Sequence, residues 1–175
     1  MNRRHALSLI AAAGALAGCA PPPPRVGPDG QPLPQLYRIS RAEAQRIPFR
    51  ALDAVNAIRA QSGLREVALD DDLTQAARAH SRDMSLQNRP WHFGSDGSTP
   101  FDRARRAGFS GRLLGEAVSE TFESELDTIL AWGQEPGPRR VMLEPEADRM
   151  GFAHFQEDGG KIWWTLNMGA SISSV

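Results

Sequence analysis

The sequence predicts one α/β domain, in which helices alternate with a small sheet, set behind an export leader. Three observations predict it. Apolar residues return every three to four positions in three separate segments, as helices with one buried face require. Two strand-like runs near the C-terminus, Arg149 to Phe155 and Lys161 to Met168, flank the turn signal Glu157-Asp158-Gly159-Gly160 and read as an antiparallel hairpin. Residues 37–175 are an ordinary length for a single core, and no internal repeat divides them. Helices alternating with strands, the last two antiparallel, give an α/β/α or α+β arrangement.

The chain opens MNRRHALSLIAAAGALAGC, with a basic start at Arg3 and Arg4, an apolar run from Ala6 to Leu16, and small residues before Cys19. That order is an export signal, and the apolar run is too short to span a bilayer as a stable helix. Leu16-Ala17-Gly18-Cys19 resembles the bacterial lipobox, whose cysteine is lipidated and becomes the mature N-terminus. Residues 1–18 are therefore expected to be a lipoprotein signal peptide, 19–36 the lipidated Cys19 with a proline-rich linker, and 37–175 the domain. Arg3-Arg4 suits ordinary secretion or the twin-arginine route. Ala20 stands where inner-membrane retention usually shows aspartate. By resemblance to sorted lipoproteins, the expected location in a Gram-negative host is the outer membrane, facing the periplasm. The linker APPPPRVGPDGQPLPQL favours extended polyproline structure, which would hold the domain off the bilayer.

Within the domain, Ser40-Arg41-Ala42-Glu43 is a capping box that starts a short helix, which Pro48 is expected to interrupt. A longer helix follows with Phe49, Leu52, Val55 and Ile58 on its buried stripe, Asn56 and Arg59 beside it, and Gly63 as its stop. Asp70 or Asp71 caps the next helix, which buries Leu73, Ala76, Ala77, His80 and Met84 and ends at Asn88 and Pro90. Ser98 or Thr99, with Pro100 at the first helical position, opens a short helix closed by Gly108. Arg112 to Val118 reads as a strand. Phe122, Leu126, Ile129, Leu130 and Gly133 mark one face of a last helix, and Pro136-Gly137 suits the central pair of a type II turn. Trp163 and Trp164 point to opposite faces of their strand, so one is expected in the core and one at the rim.

Charge excludes some partners. The 20 basic and 21 acidic residues leave a net charge of −1, which gives no support to nucleic acid as a ligand. Cys19 is the sole cysteine, so the domain beyond it has no internal disulfide and must be held by packing.

Six segments, in order, carry a resemblance: VNAIRAQSGL, ALDDDLTQAARAHSRDM, HFGSDGSTPFDRARRAGFSG, Gly115-Glu116-Ala117, AWGQEPGPRRVML, and RMGFAHF with KIWWTLNMG. Together they resemble the CAP superfamily of cysteine-rich secretory proteins, antigen 5 and pathogenesis-related proteins, from about Phe49 to Ala170. The resemblance implies an α/β/α sandwich, a small antiparallel sheet flanked by helices. It also implies a cleft of two histidines and two glutamates that binds zinc or other divalent ions in some members. His92 matches the first histidine, since Asp96 and Gly97 follow at the family spacing. Glu116 matches the first glutamate, although Ala117 replaces the usual asparagine after it. Glu135, three residues after Trp132, fits the second glutamate in some branches, and Arg139 keeps its family position.

Pro138 stands where the second histidine is expected and offers no ligand atom. No zinc or other cofactor is therefore expected, His92 being the one metal ligand left for a weak site. Catalysis by a nucleophile has little support: no Gly-x-Ser-x-Gly elbow is present, and no serine is tied to His92 by spacing. The expected function is a lipid-anchored envelope protein whose degenerate cleft (His92, Glu116, Glu135, Arg139) binds a lipid or envelope component without turnover. Two alternatives stay open. One is an extracytoplasmic hydrolase or protease using His92 with Glu116 or Glu135, the other a structural envelope module.

Overall fold

A computed structural model describes residues 37–121 and 123–172. The leader, Cys19, the linker and Phe122 lie outside the described residues. The elements are α1 (Arg41–Gln61), β1 (Ala68–Leu69), α2 (Asp71–Gln87), α3 (Pro100–Ala107), β2 (Arg112–Thr121), α4 (Glu125–Trp132), α5 (Pro136–Met142), β3 (Arg149–Gln156) and β4 (Ile162–Ala170). The four strands form one sheet in the order β1-β3-β4-β2. The expected hairpin is β3–β4, and β2 joins β4 antiparallel, but the two-residue β1 pairs with β3 in parallel. The sheet is therefore mixed.

Helices cover both faces of the sheet, which makes the α/β/α sandwich. On one face Ile162, Trp164, Leu166 and Met168 of β4 pack with Ile47, Ala51 and Val55 of α1, Ile129 and Trp132 of α4, and Met142 of α5. On the other, Thr165 bonds Ser81 of α2 at 2.9 Å, Asn167 donates to the Leu73 carbonyl, and Leu73, Ala104, Phe109 and Leu113 form a second cluster. Both clusters draw only on residues of the compact unit Leu36–Val175, which thus carries its own core. Two covered faces also correct the tryptophan expectation. Trp163 and Trp164 are both fully buried, and their indole N–H groups donate to Glu157 and Thr121.

Ser40 and Glu43 form the expected capping box, but Pro48 does not interrupt the helix: α1 runs unbroken for 21 residues. Packing of Ile47, Ala51, Val55 and Arg59 against the sheet offsets the backbone bond that proline removes. The buried stripe is accordingly rotated from the one expected, and Phe49 is exposed. Arg59 lies within the stripe, fully buried, and donates to the carbonyls of Arg65, Met142, Glu144 and Ala147. Asn56 exchanges two hydrogen bonds with the Val67 backbone, 2.9 and 3.0 Å long, which leads the chain into β1.

Asp70 caps α2 and left-handed Asn88 ends it, while Thr99 caps α3 and Gly108 closes it at φ 108°, as expected. α4 buries Ile129 and Trp132 and leaves Leu126 and Leu130 exposed, a second rotated stripe. The expected type II turn at Pro136-Gly137 is instead the first turn of α5. Proline fits there because its fixed φ suits the first helical position and its missing N–H would be unpaired in any case.

A buried carboxylate presents His92 at the candidate cleft

A β-bulge decides which way Glu116 points. Leu113 pairs with Gly169, but Gly115 pairs with Met168, so Leu114 is an extra residue in β2. The insertion re-phases the strand. Leu113 and Glu116, three apart, both face α2 and α3, whereas Gly115 and Ala117 face α1 and α5. Without it Glu116 would enter the apolar cluster around Leu166. Gly115 lacks the side chain that would meet Val141, and α5 lies close to the strand there.

Glu116 is 7 % exposed, and its charge is met by Arg103 of α3, itself 8 % exposed. One guanidinium nitrogen, Nη2, straddles the two carboxylate oxygens at 2.8 and 3.0 Å and also reaches the His92 carbonyl at 3.1 Å. Nη1 donates to the Ser98 carbonyl at 3.0 Å. The arginine thereby ties together the strand, the helix and the loop that carries His92. Sequence reasoning missed Arg103, and Glu116 pairs with it and not with Arg139. One signal was available: Pro100, Arg103, Ala104 and Ala107 occupy the inward stripe of α3, whereas Arg105 and Arg106 do not.

His92 lies on the loop after α2 with its side chain 53 % exposed, and Nδ1 is 3.0 Å from Glu116 Oε1. A carboxylate can only accept, so Nδ1 carries a proton and Nε2 is left for a ligand. His80 lies beneath, fully buried; its Nε2 donates to the Trp91 carbonyl at 2.8 Å and is 3.7 Å from Glu116. Burial lowers the His80 pKa below its ordinary value despite the opposing pull of Glu116. A neutral His80 thus holds the loop from below, the packing role expected for it. Beside His92, Trp91 and Phe93 meet edge to face at 5.5 Å, the Arg89 guanidinium lies 3.9 Å from the centre of the Trp91 ring, and Phe93 is 49 % exposed.

The other expected cleft residues do not join this cluster. Glu135 is the exposed N-cap residue of α5 and makes no capping bond, while Arg139 donates to the Gly133 carbonyl at 2.9 Å and secures the end of α4. Among the described residues neither makes a hydrogen bond or ion pair with His92 or Glu116. Ser95 is bonded to Asp83, and Ser98 is buried with its amide on Asp96, so both loop serines are structural.

These residues do not fit a divalent ion. Both oxygens of Glu116 already face a guanidinium, Pro138 has no donor, and among the described residues no three His, Cys, Asp or Glu side chains form a metal-holding group.

A three-layer domain with a buried glutamate beneath a loop histidine defines a recognisable class. The family model described as the cysteine-rich secretory protein family, CAP, matches residues 52–168, and the chain belongs to that family. The uncharacterized protein YkwD of Bacillus subtilis is 28 % identical over 114 residues, covering 65 % of this chain and 44 % of YkwD. This chain thus spans less than half of that relative. Among solved structures, an outer surface protein of Borrelia burgdorferi aligns with a TM-score of 0.66 at 17 % identity, covering 79 % of this chain and all of that one. An extracellular protein of Bacillus anthracis containing a SCP domain aligns with a TM-score of 0.67 at 21 % identity, covering 77 % of this chain and 45 % of that one. At these identities the structural likeness establishes the fold.

Proposed function

We propose that the chain is an exported CAP-domain protein, tethered to the cell envelope through lipidated Cys19, whose His92 cleft binds a lipid or other envelope component without turning it over. The leader and lipobox support the tether, and the outer-surface and extracellular relatives agree with export. The outer membrane, facing the periplasm, is the location that Ala20 favours. In this reading the acyl chains on Cys19 do the anchoring; no helix among the described residues is long and apolar enough to cross a membrane.

One observation carries the binding reading. A buried Glu116–Arg103 pair holds His92 with Nε2 unbonded and the exposed Phe93 next in the chain, while no hydroxyl or thiol among the described residues is hydrogen-bonded to the ring. Such a site can offer a polar ligand atom one hydrogen bond and its apolar body the face of Phe93. Among the described residues it holds no hydroxyl or thiol nucleophile placed for His92 to activate.

The test is mass spectrometry of small molecules that co-purify with residues 36–175 produced by export. A lipid carried by the parent and lost from His92→Ala and Phe93→Ser is the expected result. Recovery in equal amount from all three would refute cleft binding. The hydrolase reading has one point in its favour, since a carboxylate on Nδ1 is also how a general base is oriented. Ester or peptide cleavage by the parent, abolished in His92→Ala, would establish it. Zinc titration is expected to show no tight site; tight binding lost in His92→Ala would overturn the account of the donor set.

A further inference from the structure

The edge of the sheet opposite β2 carries a second feature. β1 covers β3 only at Arg149 and Met150, so among the described residues no strand lies outside residues 151–156. α1 and α2 flank that stretch and leave a groove of about 420 Å³, beside a hollow of about 550 Å³ that shares Arg78 and His154. Its walls carry Arg41, Gln45 and Pro48 from α1 and Arg78 and Arg82 from α2, with His154 between them. Helical spacing sets Arg78, Arg82 and Leu86 in one row, and Leu86 is 78 % exposed. Phe49, one turn beyond Gln45, is 62 % exposed.

Arg41, Arg78 and Arg82 have no carboxylate partner among the described residues, as is also true of Arg65 and Arg140, but here three converge and no Asp or Glu is among the lining residues. The groove is therefore a concentrated positive patch on a chain of net charge −1. The chain also enters the domain here: Gln156, at the end of β3, accepts from the Ile39 amide and donates to the Tyr37 carbonyl.

We infer that this groove docks on the anionic phospholipid headgroups of the bilayer to which the chain is tethered, with the guanidiniums on phosphates and Phe49 and Leu86 in the interfacial layer. The inference rests on the tether reading for its bilayer and adds an orientation to it. Chain entry and arginines share one edge, so the β2 edge with Glu116 and His92 faces away from the membrane. A net charge of −1 supplies no bulk attraction to an anionic surface, so the local cluster must do so, as groups of arginines do beside acidic lipids.

The test is co-sedimentation of residues 36–175, which lack Cys19, with vesicles of phosphatidylcholine alone or mixed with phosphatidylglycerol. Binding is expected only to the mixed vesicles, and it should weaken at high salt. Arg41→Gln/Arg78→Gln/Arg82→Gln should reduce it about a hundredfold, each arginine near the surface contributing roughly fivefold. Arg139→Gln/Arg140→Gln should bind like the parent. Equal sedimentation with both vesicles, no binding to either, an unaffected triple variant, or an equal loss in the Arg139/Arg140 control would overturn the proposal. The tether is read separately, as membrane partitioning of the full chain with and without Cys19→Ser; its failure would leave the vesicle result standing.

Discussion

Replacing Arg103 with methionine should destabilise the domain far more than an average substitution. The change keeps most of the side-chain volume but leaves the Glu116 side chain, 2 % exposed, with its 2.8 and 3.0 Å charged partner gone. Breaking a buried pair from one side costs about 3–5 kcal/mol, because the remaining charge keeps only the hydrogen bond from His92 Nδ1 and has lost its guanidinium. Removing both charges in Arg103→Met/Glu116→Leu abolishes that penalty, and what remains is the loss of the bonds to the Ser98 and His92 carbonyls and of the His92–Glu116 bond, about 2–3 kcal/mol. The double variant should therefore be more stable than Arg103→Met alone. Urea unfolding of residues 36–175, with the parent and both single variants, closes the cycle. Additive losses, or a cost below about 1 kcal/mol for Arg103→Met, would show that the pair is not what holds His92 in place.

The remaining predictions use the same assay. Gly151→Ala would place a Cβ on the α2 backbone at Leu73 and Thr74, which cannot give way as a side-chain end can, so a loss of about 3 kcal/mol or more is expected. Gly137→Ala meets nothing and should change stability by less than about 0.5 kcal/mol; equal losses at the two sites would remove the steric explanation. Stability should also fall in mild acid. Burial, reinforced by Arg78, lowers the His154 pKa from 6.5 to about 4, so between those values the unfolded chain binds the extra proton. The contribution is complete above pH 6.5 and declines as pH drops towards 4, by up to about 3 kcal/mol. His154→Gln should flatten that part of the profile, and an unchanged slope would show that other groups produce it.

Local signals were legible wherever a residue acts within its own turn of chain. Ser40 with Glu43, Asp70 and Thr99 cap as their sequences suggest, and Asn88 and Gly108 end their helices in left-handed conformations. Misreadings arose where a neighbouring layer overrides the local preference. Pro48 is absorbed because α1 is held along its length by the sheet, and Phe49 yields its place in the stripe to Ile47 and Ala51. His92 and Glu116, singled out through ordered motifs, do meet at 3.0 Å, but Arg103 was lost among its neighbouring arginines.

The sequence alone determined most of the helix caps, the C-terminal hairpin and the family. Those are properties of spacing and of residue type along the chain. The tertiary structure decided which charges are buried together. The extra residue at Leu114 turns Glu116 away from the apolar layer and towards α2 and α3, and only the packing of α3 on β2 brings Arg103 to meet it. A strand's side-chain period is two, so a single inserted residue exchanges its faces. That exchange leaves almost no trace in composition, yet it decides whether a glutamate lies in the core or beneath a histidine.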